Sequence, residues 1–394
     1  MEPANLEADL IPAALAQADT PAARTGAFLD SAGSSLPPSP VLDAVLSHLR
    51  REAEIGGYRA AAEADLDAGY DVLAELLDCA PDEVAYTDSA TRSWLTLLDA
   101  ISLGPGDRVL TTEAEYGGNA IPLLHLATRM GFIVEPVPSG PDGTVDVDSL
   151  RSMVDERVKL VSLVHVPTNG GLVNPVEEVT AVAHSVGALV LLDACQSLGQ
   201  LPVSLSTVDM ITGTGRKWLR GPRGTGFLAV RREVLPTLRP RLIDLQGGQW
   251  TGPAEVSLRP DTRVLELWEH NVAARLGLQA ALRYALDLGI PRIAATVTAR
   301  ATHLRDGLTG VPGVECHDLG PRPCGLVSFT VRHLPADQVR DALAAQDITV
   351  TVSRLPSTRY DMTRRGLGQV VRASPHYFVS DEQLDMAVSA VAHL

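Results

Sequence analysis

Over residues 28–230, short and nearly continuous apolar runs alternate with amphipathic stretches. The runs fall at 84–87, 108–112, 132–137, 160–166, 189–192, 210–213 and 227–230, and the amphipathic stretches between them include 121–130 and 176–186. An apolar run of strand length without polar alternation has both faces covered. Strands interleaved with helical patterns close into a parallel sheet with helices on each side. The pattern therefore predicts an α/β domain with a mainly parallel central sheet. Ligands of such sheets sit beyond the carboxyl ends of the strands, so the residues just after each run are the ones to search for chemistry.

Past this region the pattern changes. Residues 235–263 are rich in Pro, Gly and Gln and read as a loop region closing the large domain, and a long helical pattern runs from Glu266 to about Leu288. The remainder carries strand patterns at 326–331 and 348–352 and helical ones at 336–345 and 381–391, a smaller α+β unit. This divides the 394 residues into an N-terminal arm (1–26), a large domain (27–262) and a C-terminal small domain with its connecting helix (263–394). The arm is expected to pack on the body or on a partner subunit, or to stay disordered. It lacks the basic start and apolar core of a signal peptide, and no run of about 18 apolar residues offers a membrane span. A formal charge of −15 disfavours nucleic acid and anionic membrane as partners. The four cysteines, Cys79, Cys195, Cys316 and Cys324, are scattered without a CxxC pair. Neither a metal site nor a disulfide framework is expected, and a cytoplasmic location fits.

Three strand ends carry candidate chemistry. The run 188–192 ends in Asp193-Ala194-Cys195-Gln196. A carboxylate there needs a charged or hydrogen-bonding partner, unless it is simply a helix cap. The run 210–213 passes into Thr214-Gly215-Arg216-Lys217-Trp218-Leu219 and then the glycine loop Gly221-Pro222-Arg223-Gly224-Thr225-Gly226. Only two of the 33 basic residues are lysines, and the other, Lys159, starts a strand at the end of the sheet away from ligands. Together Asp193 and Lys217 suit pyridoxal 5'-phosphate (PLP). A lysine amine forms the Schiff base and moves the α-proton, and a carboxylate under the pyridine nitrogen keeps it protonated. Gln196 is placed to donate to the phenolic oxygen. The third end, Ser89-Ala90-Thr91, precedes a helical pattern, where hydroxyls and backbone N–H groups form an anion site or an ordinary cap. His165 reads as a structural histidine at a strand end.

From Phe28 to about Val391 the chain resembles the class V aminotransferase group of fold-type I PLP enzymes, which includes cysteine desulfurases, isopenicillin N epimerase and C–S lyases. The likeness rests on Phe28-Leu29-Asp30-Ser31-Ala32-Gly33, Glu115-Tyr116-Gly117-Gly118-Asn119, His165-Val166-Pro167-Thr168-Asn169, the Asp193 and Lys217 motifs and Val371-Arg372-Ala373-Ser374. Within the group it looks like the ergothioneine-pathway C–S lyases, by Glu54-Ile55-Gly56-Gly57-Tyr58, Arg216-Lys217-Trp218-Leu219 and Asn271-Val272-Ala273-Ala274-Arg275. The resemblance implies that Tyr116 stacks on the pyridine ring and that Thr91, Thr214 and Arg216 hold the phosphate with the Ser89–Ala90 turn. Thr168 stands where desulfurases have an asparagine. Arg372 takes the substrate carboxylate, a geometry that suits guanidinium, with Ala32, Gly33 and Asn119 also at the substrate. A homodimer is implied, with the Gly247-Gly248-Gln249 loop near a neighbour's phosphate. Glu269 replaces the threonine that often makes that contact.

A desulfurase needs a nucleophilic cysteine on a loop before the final arginine motif. The matching segment, 351–358, reads Thr-Val-Ser-Arg-Leu-Pro-Ser-Thr. The expected reaction is therefore β-elimination from a cysteine S-conjugate or its sulfoxide. Transamination, epimerisation and decarboxylating variants share the first steps. A non-enzymatic regulator on this fold would carry a DNA-binding domain that the arm is too short to supply.

Overall fold

The computed structural model describes residues 10–394. After a short strand β1 (Ala27–Phe28), seven strands build the central sheet: β2 (Val84–Thr87), β3 (Arg108–Thr112), β4 (Ile133–Val137), β5 (Val158–Val164), β6 (Leu189–Asp193), β7 (Met210–Thr214) and β8 (Gly226–Val230). Their order across the sheet is β2-β8-β7-β6-β5-β3-β4. β8 runs antiparallel to β2 and β7, and every other pairing is parallel. This is the α/β architecture with a mainly parallel sheet that the alternation predicts. β3, β7 and β8 are buried along their whole length, which is why their sequences lack polar alternation. Each fully buried Val, Leu or Ile contributes about 1.5–3 kcal/mol, so these strands fix the frame. The common direction of β2, β3, β5, β6 and β7 carries their ends Thr87, Thr112, Val164, Asp193 and Thr214 to one edge, and the reversed strand β8 begins there with Gly226 paired to Thr87 and Thr214.

The C-terminal part holds an antiparallel sheet of order β11-β12-β15-β14, made by β11 (Val314–Cys316), β12 (Val327–Val331), β14 (Thr351–Arg354) and β15 (Gln369–Ala373). β13 (Ile348–Thr349) pairs in parallel with β1, so the first strand of the chain joins this part. Helices Val272–Leu288 and Ile290–Thr309 connect the two sheets and meet at Gly289, whose φ of +85° favours glycine. No helix among the described residues is long and apolar enough to cross a membrane.

Three expectations differ from what is seen. Residues 235–263, read as loop, contain a hairpin of β9 (Gly248–Gly252) and β10 (Glu255–Leu258). Its Trp250, Val256 and Leu258 are all exposed; a hairpin that buries neither face leaves no alternation to read. The helix expected from Glu266 starts at Val272, where the Asn271 side chain accepts from the Ala274 N–H. Glu266 itself is buried in extended chain, its carboxylate accepting from the Tyr70 hydroxyl, the Tyr86 N–H and Gln246. Helix Ile290–Thr309 has no counterpart in the sequence reading. Of the N-terminal arm, Ile11 is fully buried and its N–H donates to the Thr296 hydroxyl at 2.9 Å, so this stretch packs on the body. Residues 1–9 of the arm lie outside the described residues.

Gly226 lets two backbone segments approach at the ligand edge of the sheet. A Cβ there would lie 2.2 Å from the Ser89 carbonyl carbon and 2.5 Å from the Ala90 nitrogen, both backbone atoms of the turn before helix Ala90–Ala100. Gly226→Ala should therefore destabilise by about 1–3 kcal/mol, the range for overpacking, read as a lower denaturation midpoint. An unchanged midpoint would show that the Ser89 turn is not held against β8.

Candidate active site

The strand-to-turn passage after β7 fixes Lys217. Gly221 N–H donates to the Gly215 carbonyl at 2.7 Å and Arg220 N–H to the Lys217 carbonyl at 3.0 Å. A Cβ at Gly215 would meet the Thr225 hydroxyl at 2.3 Å, so the lysine turn and the glycine loop pack as one unit. Enclosure lowers the pKa of the Lys217 amine, while Cys195 and Asp193 act in the opposite direction.

Asp193 ends β6 on the floor of the same cavity and is buried. Its Oδ2 accepts from the Asn119 amide at 2.8 Å and its Oδ1 from the Cys195 N–H at 2.9 Å. Asn119 sits in the first turn of helix Gly117–Met130 and also donates to Glu115 Oε1 at 3.0 Å. Both hydrogens of the Asn119 amide are thereby committed to carboxylates.

Gln196 has its orientation set by its neighbours. Its Oε1 accepts from the Trp218 indole N–H at 2.9 Å, and its Nε2 donates to the Ala32 carbonyl at 3.1 Å, near the Thr168 hydroxyl. Arg372, on β15, is buried; it donates to the Thr168 hydroxyl at 2.6 Å and pairs with Asp30 at 3.3 Å. Its Nε has no partner. Burial raises the Asp30 carboxyl above its usual range, and Arg372 opposes the shift. A Cβ at Gly33 would lie 2.4 Å from that carboxylate, and the Gly33 carbonyl accepts from Arg216. Ala32 N–H donates to the Ser374 hydroxyl at 2.9 Å.

One cavity is lined by Ser89, Ala90, Thr91, Tyr116, Asn119, Thr168, Asp193, Cys195, Gln196, Thr214, Arg216 and Lys217. The site residues read from the sequence thus meet in space, with Arg372, Ala32 and Gly33 joined to the rim through Thr168, Gln196 and Arg216. Ser89 caps helix Ala90–Ala100, accepting from the Arg92 N–H. Lys159 is exposed and bonded to the Glu156 carbonyl, far from this edge. His165 faces another cavity, beside Asn174 and Arg322, and burial drops its pKa to about 4. The sequence reading gave no role to Asp30, Glu115 or Trp218. Asp30 and Glu115 stand inside its motifs, and a buried partner is visible only once the fold brings Arg372 and Asp193 to them.

The arrangement fits PLP: an enclosed amine, a buried carboxylate supported from behind, and a helix N-terminus with hydroxyls for a phosphate. A family model described as aminotransferase class V matches residues 27–386. The chain belongs to the class V aminotransferase family of PLP-dependent enzymes. It is 32% identical to a probable hercynylcysteine sulfoxide lyase of Mycobacterium tuberculosis, covering 93% of this chain and 89% of that protein. It is also 32% identical to a probable cysteine desulfurase 2 of Mycobacterium leprae, covering 93% and 90%. Among solved structures, a cysteine desulfurase of Thermococcus onnurineus superimposes with a TM-score of 0.88 at 25% identity, covering 96% of this chain and 97% of that one. The fold is that of fold-type I PLP enzymes. Overall identity does not separate elimination from desulfuration, because relatives of both names match equally well.

Proposed function

We propose that the chain is a C–S β-lyase that cleaves a cysteine S-conjugate, or its sulfoxide, to a thiol or sulfenic acid, pyruvate and ammonia. The observation that carries this reading is the segment 351–358. It packs against the rim, with the Pro356 carbonyl 2.3 Å from where a Cβ of Gly117 would stand, directly beside Tyr116, and it contains no cysteine. The remaining thiols are poor sulfur acceptors. Burial pushes Cys79 and Cys324 up to about 12 and raises Cys316, and Cys195 is held well above its ordinary value by burial next to Asp193. The competing reading is a desulfurase, favoured by the names of several relatives.

In this proposal Lys217 anchors the cofactor and its Nζ takes the proton from the substrate α-carbon; enclosure lowers its pKa from the ordinary lysine value and so favours the free amine that can act as a base. When bound, PLP supplies the sink for the electron pair left at that carbon. Asp193 keeps the pyridine nitrogen protonated, Gln196 Nε2 donates to the phenolic oxygen, and Tyr116 covers the ring. Ser89, Ala90, Thr91, Thr214 and Arg216 hold the phosphate. Arg372 binds the substrate carboxylate with its unpartnered Nε, and Thr168 and Asp30 hold the guanidinium in place. Water enters once, in hydrolysis of the three-carbon fragment after the C–S bond pair has left with sulfur. A homodimer completes the reading. A cavity lined by Asp88, Thr225, Glu269 and His270 adjoins the Ser89 turn, and the exposed Trp250, Val256 and Leu258 suit an interface.

A panel of cysteine conjugates and their sulfoxides should release pyruvate in step with thiol or sulfenic acid. Alanine together with a protein persulfide would establish the desulfurase instead. Arg372→Ala should lower kcat/KM about a hundredfold through lost carboxylate binding, with steady-state kinetics as the check. Light scattering should give twice the chain mass; a fully active monomer would exclude the shared interface.

A further inference from the structure

Glu115 is 1% exposed, and nothing in the roles above uses it. It lies in the turn between β3 and helix Gly117–Met130, where an acidic side chain has no apolar packing to offer. Four donors converge on its carboxylate. Oε1 accepts from the Tyr116 N–H at 2.8 Å and the Asn119 amide at 3.0 Å, and Oε2 accepts from the Thr111 hydroxyl at 2.5 Å and the Ser162 hydroxyl at 3.0 Å. The second hydrogen of Asn119 goes to Asp193 at 2.8 Å. Two carboxylates, on different elements, are thus bridged by one amide on the floor of the cofactor cavity.

We propose that Glu115 is a positioning residue which, through the Asn119 amide, orients Asp193 and, as it ionises, backs it with a second negative charge, so that the pyridine nitrogen holds its proton to higher pH. This rests on the reading that Asp193 faces that nitrogen. Four donors favour the ionised form of a carboxylate, while burial opposes it and lifts Glu115 to about 7, with Asp193 adding to the rise. The charged neighbour that faces it is Asp193 from β6, with Cys195 and Lys217 beyond. Glu113, two residues earlier, turns away to Ser139 and Arg364. Ionisation of Glu115 places a like charge behind Asp193. The nearby cation that relieves both is a protonated ring nitrogen, so the proton there becomes harder to remove.

Glu115→Gln removes the charge and keeps the shape. Its carbonyl can still accept from Tyr116 and Asn119, and its NH2 can face the Thr111 and Ser162 hydroxyls, which rotate to accept. The test loads the full-length protein with PLP labelled with 15N in the ring and follows the ring-nitrogen shift with pH by solid-state NMR. Cofactor occupancy is checked by absorbance and fold by circular dichroism. The midpoint for loss of the ring proton should fall by at least about one pH unit in Glu115→Gln, which corresponds to roughly 1.4 kcal/mol, and should return toward the wild-type value in Glu115→Asp. Should Glu115→Gln fail to load PLP, Asn119→Ser cuts the bridge with Glu115 intact and should also lower the midpoint. A midpoint unmoved in the folded, loaded variants overturns the proposal. Asp193→Asn separates the two levels: if it leaves the midpoint unmoved, the reading of Asp193 fails, and if it moves the midpoint while Glu115→Gln does not, only the role of Glu115 fails.

Discussion

A carboxylate at the inner end of a central strand is expensive to keep ionised, and the ligand edge of this sheet is organised around one. Asp193 is held by the Cys195 N–H on its own chain and by the Asn119 amide from the neighbouring crossover. Helix Gly117–Met130 can deliver that amide only because the turn before it is pinned by Glu115 to β3 and β5. The same turn presents Tyr116 to the cavity. Tyr116, proposed to cover the ring, and the support for the carboxylate therefore come from a single short stretch, and displacing one displaces the other.

Lys217 is mounted with similar redundancy. Three residues on, Arg220 is 1% exposed and has a φ of +61°, unusual for a side-chain-bearing residue. Its guanidinium donates to the Leu36 carbonyl at 2.9 Å, the Tyr377 hydroxyl at 2.8 Å and the Thr20 hydroxyl, and lies 4.7 Å over the Phe378 ring. One buried arginine thus ties the lysine turn to the N-terminal arm and to the C-terminal part. Such over-determination is what keeps a strained turn in place, and it gives the Lys217 amine a rigid mount.

Much of the central sheet was legible in the sequence because burial on both faces leaves a direct trace. The runs that became β3, β6, β7 and β8 read as strands because they are short and mostly apolar with no regular polar alternation, and topology then sent Asp193, Thr214 and the Ser89 turn to one edge. The hairpin β9–β10 was illegible for the opposite reason, since Trp250 and Val256 are exposed. Helix Val272–Leu288 starts late because Glu266 serves Tyr70 and Tyr86, partners about 180 or more residues away in the chain. Trp218 looked like part of a lysine motif; that it fixes the Gln196 amide emerges only when the turn folds over the cavity. Asp30 and Glu115 escaped for the same reason. A buried ion pair or amide bridge is a property of two distant segments, and neither segment announces it.

In the proposed reading the cofactor is attached at Lys217, and with only two lysines in the chain that attachment can be tested by direct mapping. Borohydride reduction of the purified, yellow protein, followed by proteolysis and mass spectrometry, should give a phosphopyridoxyl adduct on the peptide carrying Lys217 and none on that carrying Lys159. An adduct on Lys159, or no adduct from protein that contains stoichiometric PLP, would contradict it.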